Sequence, residues 1–70
     1  MEKTKIEKLT ERQKEALIAY SEYGTYKKAA QSMGISFWTY RNHCHAIYQK
    51  LDVHNITQAI MFAFRAGIVE

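Results

Sequence analysis

No proline interrupts this chain, and helix-capping chemistry recurs along it at intervals of one short helix. That pairing constrains the fold more than any other feature. Proline is the residue that most strongly ends a helix, and Ser, Thr and Asn are among those that most readily start one. Thr10 stands three residues before Gln13, the spacing of a capping box in which each side chain satisfies the other's backbone N–H. Gly24-Thr25 supplies a residue free to take a positive φ and then a cap. Met33-Gly34-Ile35-Ser36 supplies a tight turn, an apolar plug and another cap. Asn55 heads the last helix, with Gln58 in the matching third position and Gly67 as its stop. The spacing predicts an all-α chain with four helices over about 11–22, 26–32, 37–51 and 56–66. Residues 1–7 read as a charged lead-in and 8–70 as a single domain, since 70 residues leave no room for a second.

Function classes narrow next. The single cysteine, Cys44, excludes an internal disulfide and suits a reducing, cytoplasmic setting. Met1-Glu2-Lys3-Thr4-Lys5 is charged and lacks an apolar h-region, so no signal peptide is expected. No apolar run reaches the roughly 20 residues of a membrane span. No carboxylate pair, nucleophile–base set or phosphate-cradling loop is visible, so an enzyme is not expected, and no cofactor or small-molecule ligand is implied. His43-Cys44-His45 is no metal site, because consecutive helical residues point in different directions.

The net charge is +3, and its distribution is uneven. Five basic residues balance five acidic ones up to Glu22. From Tyr23 to Leu51 stand Lys27, Lys28, Arg41 and Lys50 and no acid at all. A polyanion is the partner this middle third suggests, although four cations could equally form a solvated face. Two helices joined by a short glycine-containing turn make a helix-turn-helix. Ala30, four residues before Gly34, lets such a pair cross closely, and Ala29, Met33, Ile35, Tyr40 and Ile47 are apolar at spacings that seal it.

Taken together, the chain resembles the LuxR/FixJ-type (GerE-like) DNA-binding domain in its stand-alone form. Leu9-Thr10-x-Arg12-Gln13-x-Glu15-x-Leu17 is similar to the family's opening L-T-x-R-E-x-E-x-L, and Lys27-x-x-Ala30 to its N-K-E-I-A segment. Ile35-Ser36-x-x-Thr39-x-Arg41-x-His43 is similar to I-S-x-x-T-V-K-x-H. Ile47-x-x-Lys50-Leu51-x-Val53-x-Asn55-x-Thr57-x-Ala59 is similar to I-x-x-K-L-x-V-x-N-R-T-x-A. The match runs without a gap over roughly Lys8 to Val69. It implies a LuxR-type four-helix domain whose third helix reads DNA and whose fourth often dimerises. The departures are Tyr23 for a usual Gly, Lys28 for Glu, Tyr40 for Val, and Phe37-Trp38 for an often polar pair.

On the third helix, a 100° step turns Tyr40, His43, Ile47 and Leu51 inward and Trp38, Arg41, Asn42, His45 and Gln49 outward. Arg41 can bond guanine O6 and N7, Asn42 adenine N6 and N7, and His45 an acceptor such as N7. The resemblance turns these same three positions toward bases. Thr25, Lys27, Ser36 and Thr39, at two helix starts, are expected on phosphates, with Lys50 near the third helix's end. The resemblance gives His43 a structural or phosphate-contacting place. Cys44 reads as a half-buried filler.

Of Phe37 and Trp38 at least one must be exposed, and Trp38 has three open readings. It contacts a thymine methyl or sugar, forms a protein-binding patch, or folds over the second helix as a staple. On the fourth helix, Ile56, Ala59, Ile60, Ala63 and Phe64 are expected to face the core. Gln58, Met61, Phe62 and Arg65 are expected on the other side, as the interface of a homodimer.

The expectation is therefore a sequence-specific transcription regulator of a bacterial or phage setting, bound as a homodimer to double-stranded DNA at an inverted repeat. A sigma-factor-like promoter module shares the opening motif and the helix pair, but Asn55-x-Thr57-x-Ala59 argues against it. The alternative from another class is a protein-interaction module on the same fold, contacting RNA polymerase or another regulator without binding DNA.

Overall fold

The computed structural model describes residues 7–69. These residues contain four helices and no strand: α1 (Glu11–Tyr23), α2 (Tyr26–Ser32), α3 (Phe37–Leu51) and α4 (Ile56–Arg65). Each begins where a polar side chain takes a free backbone N–H. Thr10 Oγ1 accepts from Gln13 N at 3.1 Å while Gln13 Oε1 accepts from Thr10 N at 3.0 Å, closing the capping box. Thr25 accepts from Lys28 N, Ser36 from Thr39 N and Asn55 from Gln58 N. Such a cap contributes about 1 kcal/mol. The last one departs from the symmetric box, because Gln58 Oε1 accepts from His54 N rather than from the cap residue.

The turn between α2 and α3 is a Schellman motif. Ile35 N–H reaches Ala30 O and Gly34 N–H reaches Gln31 O, both at 3.1 Å, with Gly34 at φ 69°. The same pattern ends α3, where Val53 N–H bonds Tyr48 O and Asp52 stands at φ 57°. Asp52 is the one non-glycine in the left-handed region among the described residues. Helix ends match the sequence reading within one residue: α1 extends to Tyr23 and α4 closes at Arg65.

The core joins a few large side chains, Leu17, Tyr40, Ile47 and Leu51, to small ones, Ala16, Ala29, Ala30, Ala59 and Ala63, all at 2% exposure or less. Alanines at the contacts let the helix axes approach closely. α1 packs on the other three helices, and α3 touches all of them too, whereas α2 and α4 do not meet. Two directed bonds lock this arrangement. The buried Tyr40 hydroxyl donates to Ala16 O of α1 at 2.7 Å. Arg12 bonds Glu15 at 2.7 Å and reaches across to donate to Met33 O at 2.9 Å, pinning the α2–α3 turn to α1.

Two packing expectations are corrected. Cys44 is fully buried, not half-buried. On α4 the phenylalanines exchange places: Phe64 is 63% exposed, and Phe62 is half-buried against the core. Ala59 and Ala63 seat the centre of the buried stripe, so Phe62 falls within that arc and Phe64 turns out beside Met61. Among the described residues no helix is long and apolar enough to cross a membrane. The lead-in expected over 1–7 lies, apart from Glu7, outside the described residues.

Candidate nucleic-acid interface

α3 has two sharply different sides. Tyr40, Cys44, Ile47 and Leu51 are at 0–1% exposure on the inner one. Trp38, Asn42, His45 and Gln49 are exposed on the outer one, and Arg41 is half-buried at its edge. His43 is half-buried, as its inward-leaning position requires. A helix held by one face and free along the other is the shape the B-DNA major groove admits.

The first turn of α3 is aromatic, and its organisation explains why. Tyr26 of α2 is the hub, with ring centroids 5.6 Å from Tyr20, 5.8 Å from Tyr40 and 6.3 Å from Phe37. Its hydroxyl shares a 2.9 Å hydrogen bond with that of Tyr48. Phe37 meets Trp38 edge-on at 6.1 Å, and the Arg41 guanidinium carbon lies 5.5 Å from the centre of the Trp38 ring. Phe37 therefore occupies the place over α2. Trp38, 70% exposed, is not the staple that one reading of the sequence offered. Both aromatics of the pair are exposed, Phe37 less than Trp38. Tyr26, Phe37, Arg41, Cys44 and His45 line a cleft of about 220 Å³ beside this turn. Burial pushes the pKa of the Cys44 thiol up, which keeps it neutral, and does the same to the Tyr40 and Tyr48 phenols.

Around the outer face of α3, Thr25, Lys27, Lys28, Ser36 and Thr39 are all exposed. Ser36 Oγ accepts its cap bond and stands 3.0 Å from Thr39 Oγ1, to which it donates. Lys50 is different. Its ammonium donates to Gln13 Oε1 at 2.9 Å and to Lys8 O at 3.1 Å, so it ties the end of α3 to the start of α1. Two of its three N–H donors are thus turned inward, whereas the phosphate contact expected of Lys50 needs the third.

Gln58, Met61, Phe62 and Arg65 do come together, with Asp52, Val53 and His54, along a groove of about 300 Å³ on α4. Two residues with structural weight escaped a functional reading in the sequence, Arg12 and Gln13. Their place in the opening motif signalled both, and the capping-box spacing signalled Gln13 as well, but their partners Met33 and Lys50 lie 21 and 37 residues away.

Compared with known protein families, residues 7–63 match the family model described as bacterial regulatory proteins, luxR family (GerE). No curated protein and no solved structure matches the chain.

Proposed function

The chain belongs to the luxR family of bacterial regulatory proteins and carries its DNA-binding helix-turn-helix domain, and from that premise we propose how it reads DNA. α3 lies in the major groove, with Arg41, Asn42 and His45 toward base edges and Trp38 beside them. Arg41 takes a guanine through its two-pronged guanidinium, Asn42 an adenine, and His45 an acceptor such as N7. Thr25, Lys27, Ser36, Thr39 and His43 hold the flanking phosphates and set the register. A second copy packs on the Gln58, Met61 and Arg65 side of α4, which sets two half-sites about one helical turn apart.

The observation that carries this reading is the outer face of α3. It presents Trp38, Asn42 and His45 to solvent with Arg41 at the edge, inside a segment from Tyr23 to Leu51 that contains no acid. Binding of the purified chain to mixed-sequence DNA across a salt series tests it. The expected result is binding that falls steeply with salt, with Arg41→Ala weakening a selected site more than random DNA. Absence of binding at low salt would favour the protein-interaction alternative, with RNA polymerase or another regulator as partner.

A further inference from the structure

The contact between Trp38 and Arg41 has a consequence for how DNA is read. Arginine reads a guanine only when its planar fork approaches the base edge in the right plane, and a free arginine side chain must first be ordered. Here Arg41 sits one helical turn after Trp38, with its guanidinium carbon 5.5 Å from the ring centre, inside cation–π range. One side of the ring leads back to the core. Trp38 meets Phe37 edge-on at 75°, Phe37 meets Tyr26 at 72°, and Tyr26 is bonded to Tyr48 and packed on the fully buried Tyr40. An unbroken aromatic series thus runs from the core to the reading face and ends on the arginine. Trp38 has little other structural reason to be there, since 70% of its surface is open.

We infer that Trp38 is a positioning residue that holds the Arg41 guanidinium in its base-reading orientation, so that it sets specificity through Arg41 and not by a base contact of its own. The inference rests on the proposal that α3 reads DNA. It deepens that proposal by assigning the aromatic residue, which departs from the usual polar character of this turn, a defined task.

A double-mutant cycle tests it, using the whole chain on a selected site and on that site with the Arg41-read guanine replaced by adenine. Trp38→Ala is expected to weaken the selected site about twofold to fivefold, the worth of one exposed cation–π contact. It should weaken the adenine variant much less, so discrimination narrows. Trp38→Phe should restore most of the discrimination. The Trp38→Ala/Arg41→Ala double variant should bind no more weakly than Arg41→Ala alone, because the two act as a unit. The salt slope should not move, as an exposed ring on no phosphate predicts, and the thermal midpoint should fall by no more than a few degrees.

Losses that multiply in the double variant would show that Trp38 touches DNA independently. Equal weakening on both sites would show that it carries no specificity. Either result overturns the inference while leaving DNA binding intact, whereas failure of the unaltered chain to bind at low salt overturns both readings together.

Discussion

The Lys50 ammonium lies 2.9 Å from the Gln13 side-chain oxygen, and that same oxygen accepts the Thr10 N–H that opens α1. One amide thus serves as helix cap and interhelical tie at once. Gln13 is the one buried polar side chain among the described residues, and its only charged partner comes from the far end of α3. Lys50→Met is expected to lower stability by about 1.5–3 kcal/mol, the worth of a hydrogen bond to a charged group. It should leave the salt dependence of DNA binding unchanged. Lys27→Ala should do the reverse, with stability within about 0.5 kcal/mol and a salt slope shallower by about 0.9. Urea unfolding and a salt titration of both variants check the contrast.

Arg41→Lys keeps the charge and loses the planar fork. Discrimination by a bidentate arginine–guanine pair is worth about 1–3 kcal/mol. The variant should therefore lose about tenfold or more on a selected site while binding random DNA almost as the parent does. Competition between the two DNAs at fixed salt measures it.

Asp52 ends α3 at φ 57°, where its Cβ is strained and its negative charge sits at the unfavourable end of the helix dipole. Asp52→Gly removes both penalties and should stabilise the domain by about 1 kcal/mol, raising the thermal midpoint by about 4–8 °C. Gly34→Ala should cost about 1–2 kcal/mol from its backbone conformation alone, because a Cβ at Gly34 meets no atom within 4 Å. Thermal unfolding followed by circular dichroism separates the two signs.

Tyr40, Tyr48 and Cys44 are each held neutral by burial, with pKa values above their usual 10.0 and 9.0. The folded state therefore binds these protons more tightly than the unfolded chain. Stability should be fully present below pH 9, begin to fall as the unfolded thiol and phenols ionise, and keep falling toward the folded values. Tyr40→Phe should make the alkaline decline shallower, at the cost of about 1 kcal/mol at neutral pH for the lost bond to Ala16 O. Urea midpoints at pH values from 7 to 11 give both readings.

On α4, Met61→Glu should abolish self-association and leave the monomer folded, because Met61 is 49% exposed. Phe62→Ala should instead destabilise the fold itself by about 1–3 kcal/mol, since that ring packs on the core. Sedimentation equilibrium beside urea unfolding distinguishes an interface residue from a core one. A chain that stays monomeric at every concentration would remove the dimer from the proposal.

Much of the molecule was legible because its punctuation is local. Thr10, Thr25, Ser36 and Asn55 each bond a backbone N–H three residues ahead, so spacing alone identifies a cap. The inner face of α3 was equally readable, since Tyr40, Ile47 and Leu51 follow one helical stripe. Its outer face, the basis of the DNA reading, is the remainder of the same wheel.

What the tertiary structure alone decided concerns contacts between residues far apart. Lys50 looked like a phosphate ligand from its position near a helix end, and only the return of α3 to the start of α1 gave its ammonium an internal partner. α4 is apolar around most of its circumference, so periodicity could not choose between Phe62 and Phe64. The choice fell to Ala59 and Ala63, whose small side chains let that side approach α1 and α3 most closely. The order Tyr40, Tyr26, Phe37, Trp38, Arg41 likewise has no sequence signature, because its hub lies on a different helix from the rest. Helices and their caps come from interactions three or four residues long, which the order of residues contains directly. Helix rotation and the partners of long side chains come from how close-packed surfaces seat on one another, which exists only once the chain has folded.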